Sequence, residues 1–121
     1  MSTAFDSDQH ELATIRQSFR RSLPFPIALG VGLWLVFLAT VHMPFWFPGM
    51  YGIMPRTSWG IRGIITGPFI HGDLSHILSN TVPLVLLTWM LLFFYRKIGY
   101  RVFFSIYFLT GILVWLFARS V

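Results

Sequence analysis

Residues 69–87 read Phe69-Ile-His71-Gly-Asp73-Leu-Ser75-His76-Ile-Leu-Ser79-Asn80-Thr-Val-Pro83-Leu-Val-Leu-Leu87. A short polar passage leads straight into an apolar run, with a histidine and an asparagine at its entrance. Spacing of four puts His76 and Asn80 on one helix face, with Cβ atoms about 5–6 Å apart. From His76 the chain continues to Tyr95 without a charged residue, about the 20 residues a bilayer core demands. Polar side chains at membrane depth are costly, so the two are candidates for a functional role.

Two further segments have the same length and character, one from about Pro24 to Trp46 and one from about Tyr100 to Ala118. The composition agrees. Of 121 residues 55% are hydrophobic and only 11% charged, with a mean hydropathy of +0.69; soluble domains carry about 25% charged residues. Aromatics reach 18%, with 13 Phe and 5 Trp, which suits lipid-facing surface and interfacial belts. The absence of cysteine excludes disulfides, thiolate catalysis and Cys-based metal sites. The expected fold is an all-α membrane protein with three transmembrane helices, a polar N-terminal segment over 1–22 and a transmembrane domain over 23–121.

The segment 1–22 is too mixed in charge before the first apolar run for a signal peptide, and no small-residue cleavage site follows that run. Leu12, Ile15 and Phe19 recur at spacings of three and four, which fits a short amphipathic helix on a membrane surface; a frayed tail fits equally well. Pro24 and Pro26 fall in the first turn of the first span, where proline is tolerated. Pro44 and Pro48 help to end that span. Pro83 is expected to bend the second span slightly or to sit within its first two turns.

Charge sets the orientation. Arg16, Arg20 and Arg21 precede the first span, and Arg96, Lys97 and Arg101 lie between the second and third; the longer loop between the first two spans holds only Arg56 and Arg62. The positive-inside rule places the N-terminus in the cytoplasm and the loop 47–75 outside, with His76 and Asn80 near the outer surface. The net charge of +5 reads as a topology signal and as contact with lipid headgroups, not as a nucleic-acid footprint. The loop holds Gly49, Gly52, Pro55, Gly60, Gly63, Gly67 and Pro68, which oppose a long regular helix. Its Trp46, Tyr51, Trp59, Ile61, Ile64 and Ile65 oppose a floppy linker. A compact segment in the outer headgroup region is expected.

The chemistry allowed by these residues is narrow. His71, Asp73 and His76 have poor spacing for a metal site, because His71 precedes the helix and no third strong ligand is near; neither metal nor cofactor is expected. Asp73 has a plain role as N-cap of the second span, and Ser75 is an alternative cap. His76 and Asn80 have two readings. One is interhelical hydrogen bonding. The other is an oxyanion hole, in which an amide and an imidazole N–H hold the charge that develops on a former carbonyl oxygen, aided by the nearby helix N-terminus. Arg56 and Arg62 either clamp headgroups or tie the loop down. Arg119 snorkels, binds a lipid phosphate or pairs with the loop. Trp46, Trp59 and Trp115 are interfacial anchors or packing residues.

The runs Tyr51-Gly-Ile-Met-Pro55-Arg56 and Gly63-Ile-Ile-Thr-Gly-Pro-Phe69-Ile-His71-Gly-Asp73-Leu-Ser-His76-Ile-Leu-Ser-Asn80-Thr, with the later Gly111-Ile-Leu-Val-Trp115-Leu-Phe-Ala-Arg119, resemble the rhomboid family of intramembrane serine proteases. The resemblance covers roughly residues 24–121. It implies that the three spans are the N-terminal half of a six-helix rhomboid-like bundle. It also implies that His76 and Asn80 match the oxyanion-stabilising pair and that His71 matches a histidine of more structural role. The family's Ser–His dyad uses a serine in Gly-x-Ser-Gly on the fourth helix and a histidine on the sixth. No Gly-x-Ser-Gly occurs here, and Ser120 is not flanked by glycines.

The expectation is therefore a rhomboid-type intramembrane serine endopeptidase, present as a fragment that ends before its nucleophile and general base and inactive alone. Its partners would be a transmembrane protein substrate and membrane lipids, in a bacterial plasma membrane. The alternative is a non-catalytic rhomboid-like protein that binds transmembrane helices or lipids. A third reading is a small membrane subunit assembling with a separate serine-bearing half.

Overall fold

A computed structural model describes the backbone of residues 2–43 and 51–119, and side chains from residue 6 onward. Pro44, Trp46, Pro48, Gly49 and Ser120, to which the sequence reading gave roles, lie outside the described residues. The described chain is helical without strands: α1 (Ser2–Ser22), α2 (Pro24–His42), α3 (Gly63–Thr66), α4 (Leu74–Phe94) and α5 (Gly99–Phe117). Three helices are long and apolar enough to cross a membrane: the stretch containing α2, then α4 and α5. Their 19 to 21 residues correspond to roughly 28–32 Å at 1.5 Å per residue. The apolar residues point outward. Leu35, Val82, Leu87 and Phe117 are each more than 60% exposed, whereas the buried core holds little beyond Leu33, Phe37, Ile77 and Leu92. Such a surface is stable against lipid and not against water, as befits a polytopic integral membrane protein.

The polar N-terminal segment is a helix for its whole described length. It ends where Pro24 and Pro26 withdraw the N–H groups that Arg20 and Ser22 would have accepted from, and Ser22 turns its hydroxyl back to the Phe19 carbonyl at 2.9 Å. α2 stops at His42, four residues short of the expected Trp46. Met43 is already extended, at φ −101° and ψ 100°; the following proline disfavours helical geometry at that residue. Pro83 falls in the third turn of α4, which begins at Leu74 directly after the Asp73 cap. There it leaves the Ser79 carbonyl without its helical donor.

α2 and α4 run antiparallel and form the core. Gly30 is buried where a methyl group would lie 2.9 Å from a Val85 methyl, so the absence of a side chain sets the helix separation. One and two turns further along α2, Leu33 and Phe37 pack with Ile77, with Trp34, Phe69 and Leu84 around them. Trp34 Nε1 donates to Thr81 Oγ1 at 3.2 Å, and the Thr81 hydroxyl in turn donates to the Ile77 carbonyl at 2.6 Å. At the far end Phe25 meets Tyr100, Phe103 and Phe104 edge-on, with centroids 5.2–6.0 Å apart, and this draws the start of α5 to α2.

Among its described residues, the connection between α2 and α4 holds two 3₁₀ turns, Trp59–Ile61 and Gly67–Phe69, flanking the single turn of α3. It docks along α5. Gly111 leaves room for Ile64, the Tyr107 hydroxyl donates to the Ile65 carbonyl, and Trp115 Nε1 donates to the Thr57 carbonyl at 3.0 Å. Arg56 has a left-handed backbone, with φ 56°. Its N–H donates to the Trp115 carbonyl at 3.0 Å. Its guanidinium donates to the carbonyls of Leu116 and Ala118, each at 3.4 Å. Arg56 therefore ties the loop down. Arg62 instead lies over the Trp59 ring, 4.4 Å from its centroid. Trp115 serves as a packing residue of the loop, with its indole N–H spent on it.

Candidate functional site

The site is built where the loop turns into α4. After the Gly67–Phe69 turn, Ile70 is extended at φ −93° and ψ 119°, and His71 is tucked in behind it. Asp73 then caps the helix. Its Oδ1 accepts from the His76 N–H at 2.8 Å, one of the donors a helix start leaves unpaired. The plain capping role read from the sequence is the one Asp73 plays. Asp73→Ala is expected to destabilise the chain by about 0.5–2 kcal/mol, measurable as a lowered thermal midpoint in detergent, with Asp73→Asn retaining most of the stability.

His71 is the buried member of the cluster, at 7% exposure. Its Nδ1 lies 3.3 Å from the Phe69 carbonyl and its Nε2 lies 3.2 Å from Asn80 Nδ2. One neutral tautomer satisfies both contacts: Nδ1–H donates to Phe69, and Nε2 accepts from the Asn80 amide. The amide thereby has its orientation fixed, with one N–H committed and one N–H and the oxygen left over. His76 stands beside this pair. Its ring is 5.0 Å from that of His71 at 70°; it is exposed and has no hydrogen-bond partner among the described residues.

His71, His76 and Asn80 are thus brought together, but not in the way spacing alone indicates. Helical spacing pairs Asn80 with His76, whereas in the structure the Asn80 amide bonds to His71. The eight residues between His71 and Asn80 include the bend at Gly72 and Asp73, whose path no periodicity encodes. The available signal was a histidine two places before a capping aspartate in an apolar context, a position where burial demands a partner.

Beside the pair, a cleft of about 540 Å³ opens between α2, α4 and α5. Leu29, Leu33, Leu84, Leu87 and Ile106 form much of its apolar wall, and the polar groups on it are His71, Asn80, Thr88 and Tyr107. His76 does not line it. Chemically the cleft presents a positioned amide, acting as donor and acceptor, at the edge of an apolar space. No serine or carboxylate lines it. Among the described residues no group of three or more His, Asp or Glu side chains is arranged to hold a metal ion. No protein-family model matches this chain, and no curated protein or solved structure is significantly similar to it.

Proposed function

We propose that the chain supplies the oxyanion-stabilising half of a rhomboid-type intramembrane serine endopeptidase. A transmembrane segment of another membrane protein is its substrate, and the nucleophile and general base are contributed by polypeptide beyond these residues. The N-terminus is cytoplasmic and the His71–Asn80 end faces outward, in a bacterial plasma membrane. The observation that carries the reading is the held Asn80 amide: a donor with fixed orientation at the lip of an apolar cleft, one helical turn from the exposed His76 imidazole. Donors fixed before the reaction stabilise developing charge without reorganising. In this reading Asn80 and His76 offer their free N–H groups to the substrate carbonyl oxygen as it becomes tetrahedral.

The test is complementation. The chain is co-expressed with a membrane segment bearing a Gly-x-Ser-Gly serine and a helical histidine, and cleavage of a fluorogenic transmembrane substrate is followed. Serine-dependent cleavage that requires this chain is the expected result; none with any complementing half that co-purifies would sink the proposal.

A second reading is favoured by the cleft itself. With no serine or carboxylate on its wall, it suits a non-catalytic rhomboid-like protein that binds apolar transmembrane helices or lipids. Cross-linking of an apolar helix to residues such as Leu87, with no cleavage in the assay above, would decide for it.

A further inference from the structure

Six of the nine Lys and Arg residues gather at the end of the bundle opposite His71. Arg16, Arg20 and Arg21 occupy the last turns of α1, and Arg96, Lys97 and Arg101 surround the α4–α5 connection. Aromatic contacts bring the two groups to one level. Phe19 of α1 meets Trp89 at 5.3 Å and Phe93 at 6.4 Å on α4, while Phe25 meets Tyr100 at 5.2 Å. All six cations are exposed, and none has an ion-pair partner among the described residues. The acidic side chains lie elsewhere: Asp6, Asp8 and Glu11 toward the start of α1, and Asp73 on its cap at the other end. At that other end Arg56 and Arg62, two of the three cations, are engaged within the protein. The two ends thus differ in partnering as well as in number.

The same end carries an apolar stripe. Leu12, Ile15 and Phe19 share one face of α1 and remain 59%, 48% and 44% exposed. Arg16 and Arg20 border that face. An apolar stripe edged by arginine is the pattern of a helix lying in a bilayer interface, with acyl chains below it and phosphates beside it. A nucleic acid or acidic protein would meet the charges but leave Leu12 and Ile15 in water. The direct continuation of α1 into a spanning helix also fixes a lipid surface close to these residues.

We propose that this end of the protein is a docking surface for the headgroups of anionic phospholipids. α1 lies along the leaflet, Leu12 and Ile15 enter the acyl boundary, and the six cations meet lipid phosphates. The proposal does not rest on the proteolytic reading.

The test uses the full chain in phosphatidylcholine vesicles, with spin-labelled phosphatidylglycerol or spin-labelled phosphatidylcholine as probe. The motionally restricted fraction gives their relative association. We expect about a fivefold preference for phosphatidylglycerol at low salt, falling close to parity in roughly 0.5 M sodium chloride, where charge is screened within a few ångströms. Joint replacement Arg16→Gln, Arg20→Gln and Arg21→Gln, or Arg96→Gln, Lys97→Gln and Arg101→Gln, should each at least halve the preference, while Arg62→Gln leaves it intact. Leu12→Ser with Ile15→Ser, which spares every charge, should also lower it. Equal association of the two lipids with the native chain would overturn the proposal, as would a preference that resists salt. Loss of the preference on adding inorganic phosphate at constant ionic strength would also overturn it, because a free anion would then suffice. If a multiple variant loses its helical circular dichroism, the salt titration of the native chain decides alone.

Discussion

Under the proposed endopeptidase reading, Asn80→Ala is expected to lower substrate cleavage by the complemented protein by about 10²–10³-fold, with a loss of stability of only about 1–3 kcal/mol. The two effects have separate origins. The catalytic loss is that of a fixed donor to the oxyanion. The stability loss arises because His71, buried at 7% exposure, keeps an Nε2 whose amide partner has gone. Measuring cleavage beside the thermal midpoint separates them. If cleavage falls only as far as the folded fraction does, Asn80 is a packing residue and the non-catalytic reading gains. The variant His71→Ala sharpens the comparison: it frees the Asn80 amide without deleting it, so cleavage should fall by less than in Asn80→Ala even where stability falls as much.

Gly111→Leu is expected to undock the loop. A methyl group at Gly111 would stand 2.6 Å from Ile64 Cγ2 and 3.3 Å from Ile64 Cα. The first contact could be relieved by rotating a side chain. The second involves backbone, so α3 itself must move away. Overpacking of this kind typically costs about 1–3 kcal/mol. The bonds from the Tyr107 hydroxyl to Ile65 and from the Trp115 indole to Thr57 lie on the same face and should go with it. Limited proteolysis within 51–62 reports the change directly, and faster cutting there with α4 and α5 still helical is the expected result. Thr110→Leu, at the exposed neighbouring position, serves as control, with an effect within about 0.5 kcal/mol. Equal protection of the loop in the native chain and Gly111→Leu would show that it is not held by α5.

What the sequence discloses here follows from what periodicity and composition encode. Runs such as Leu74–Phe94 specify a helix long enough to span because length and apolarity are local properties, and Asp73 specifies its own cap because the bond it makes reaches only three residues. The end of α2 at His42, short of Trp46, follows from another local restraint, the one Pro44 places on Met43. The His71–Asn80 bond and the docking of Ile64 against Gly111 were not legible. Each depends on the path of a loop relative to a helix distant in sequence, and residue types alone do not determine that path.

The three bonds of Arg56 have a consequence for how the protein assembles. The last carbonyls of a helix point away from it with no partner of their own, and in α5 those of Trp115, Leu116 and Ala118 receive N–H groups from a residue almost sixty positions earlier in the chain. The guanidinium also sits at the negative pole of the helix dipole. The C-terminal end of α5 is therefore completed by a distant segment of the same chain, the connection between α2 and α4. That segment is synthesised before α5 and must wait for it, so the final turn of α5 records whether the loop has already arrived.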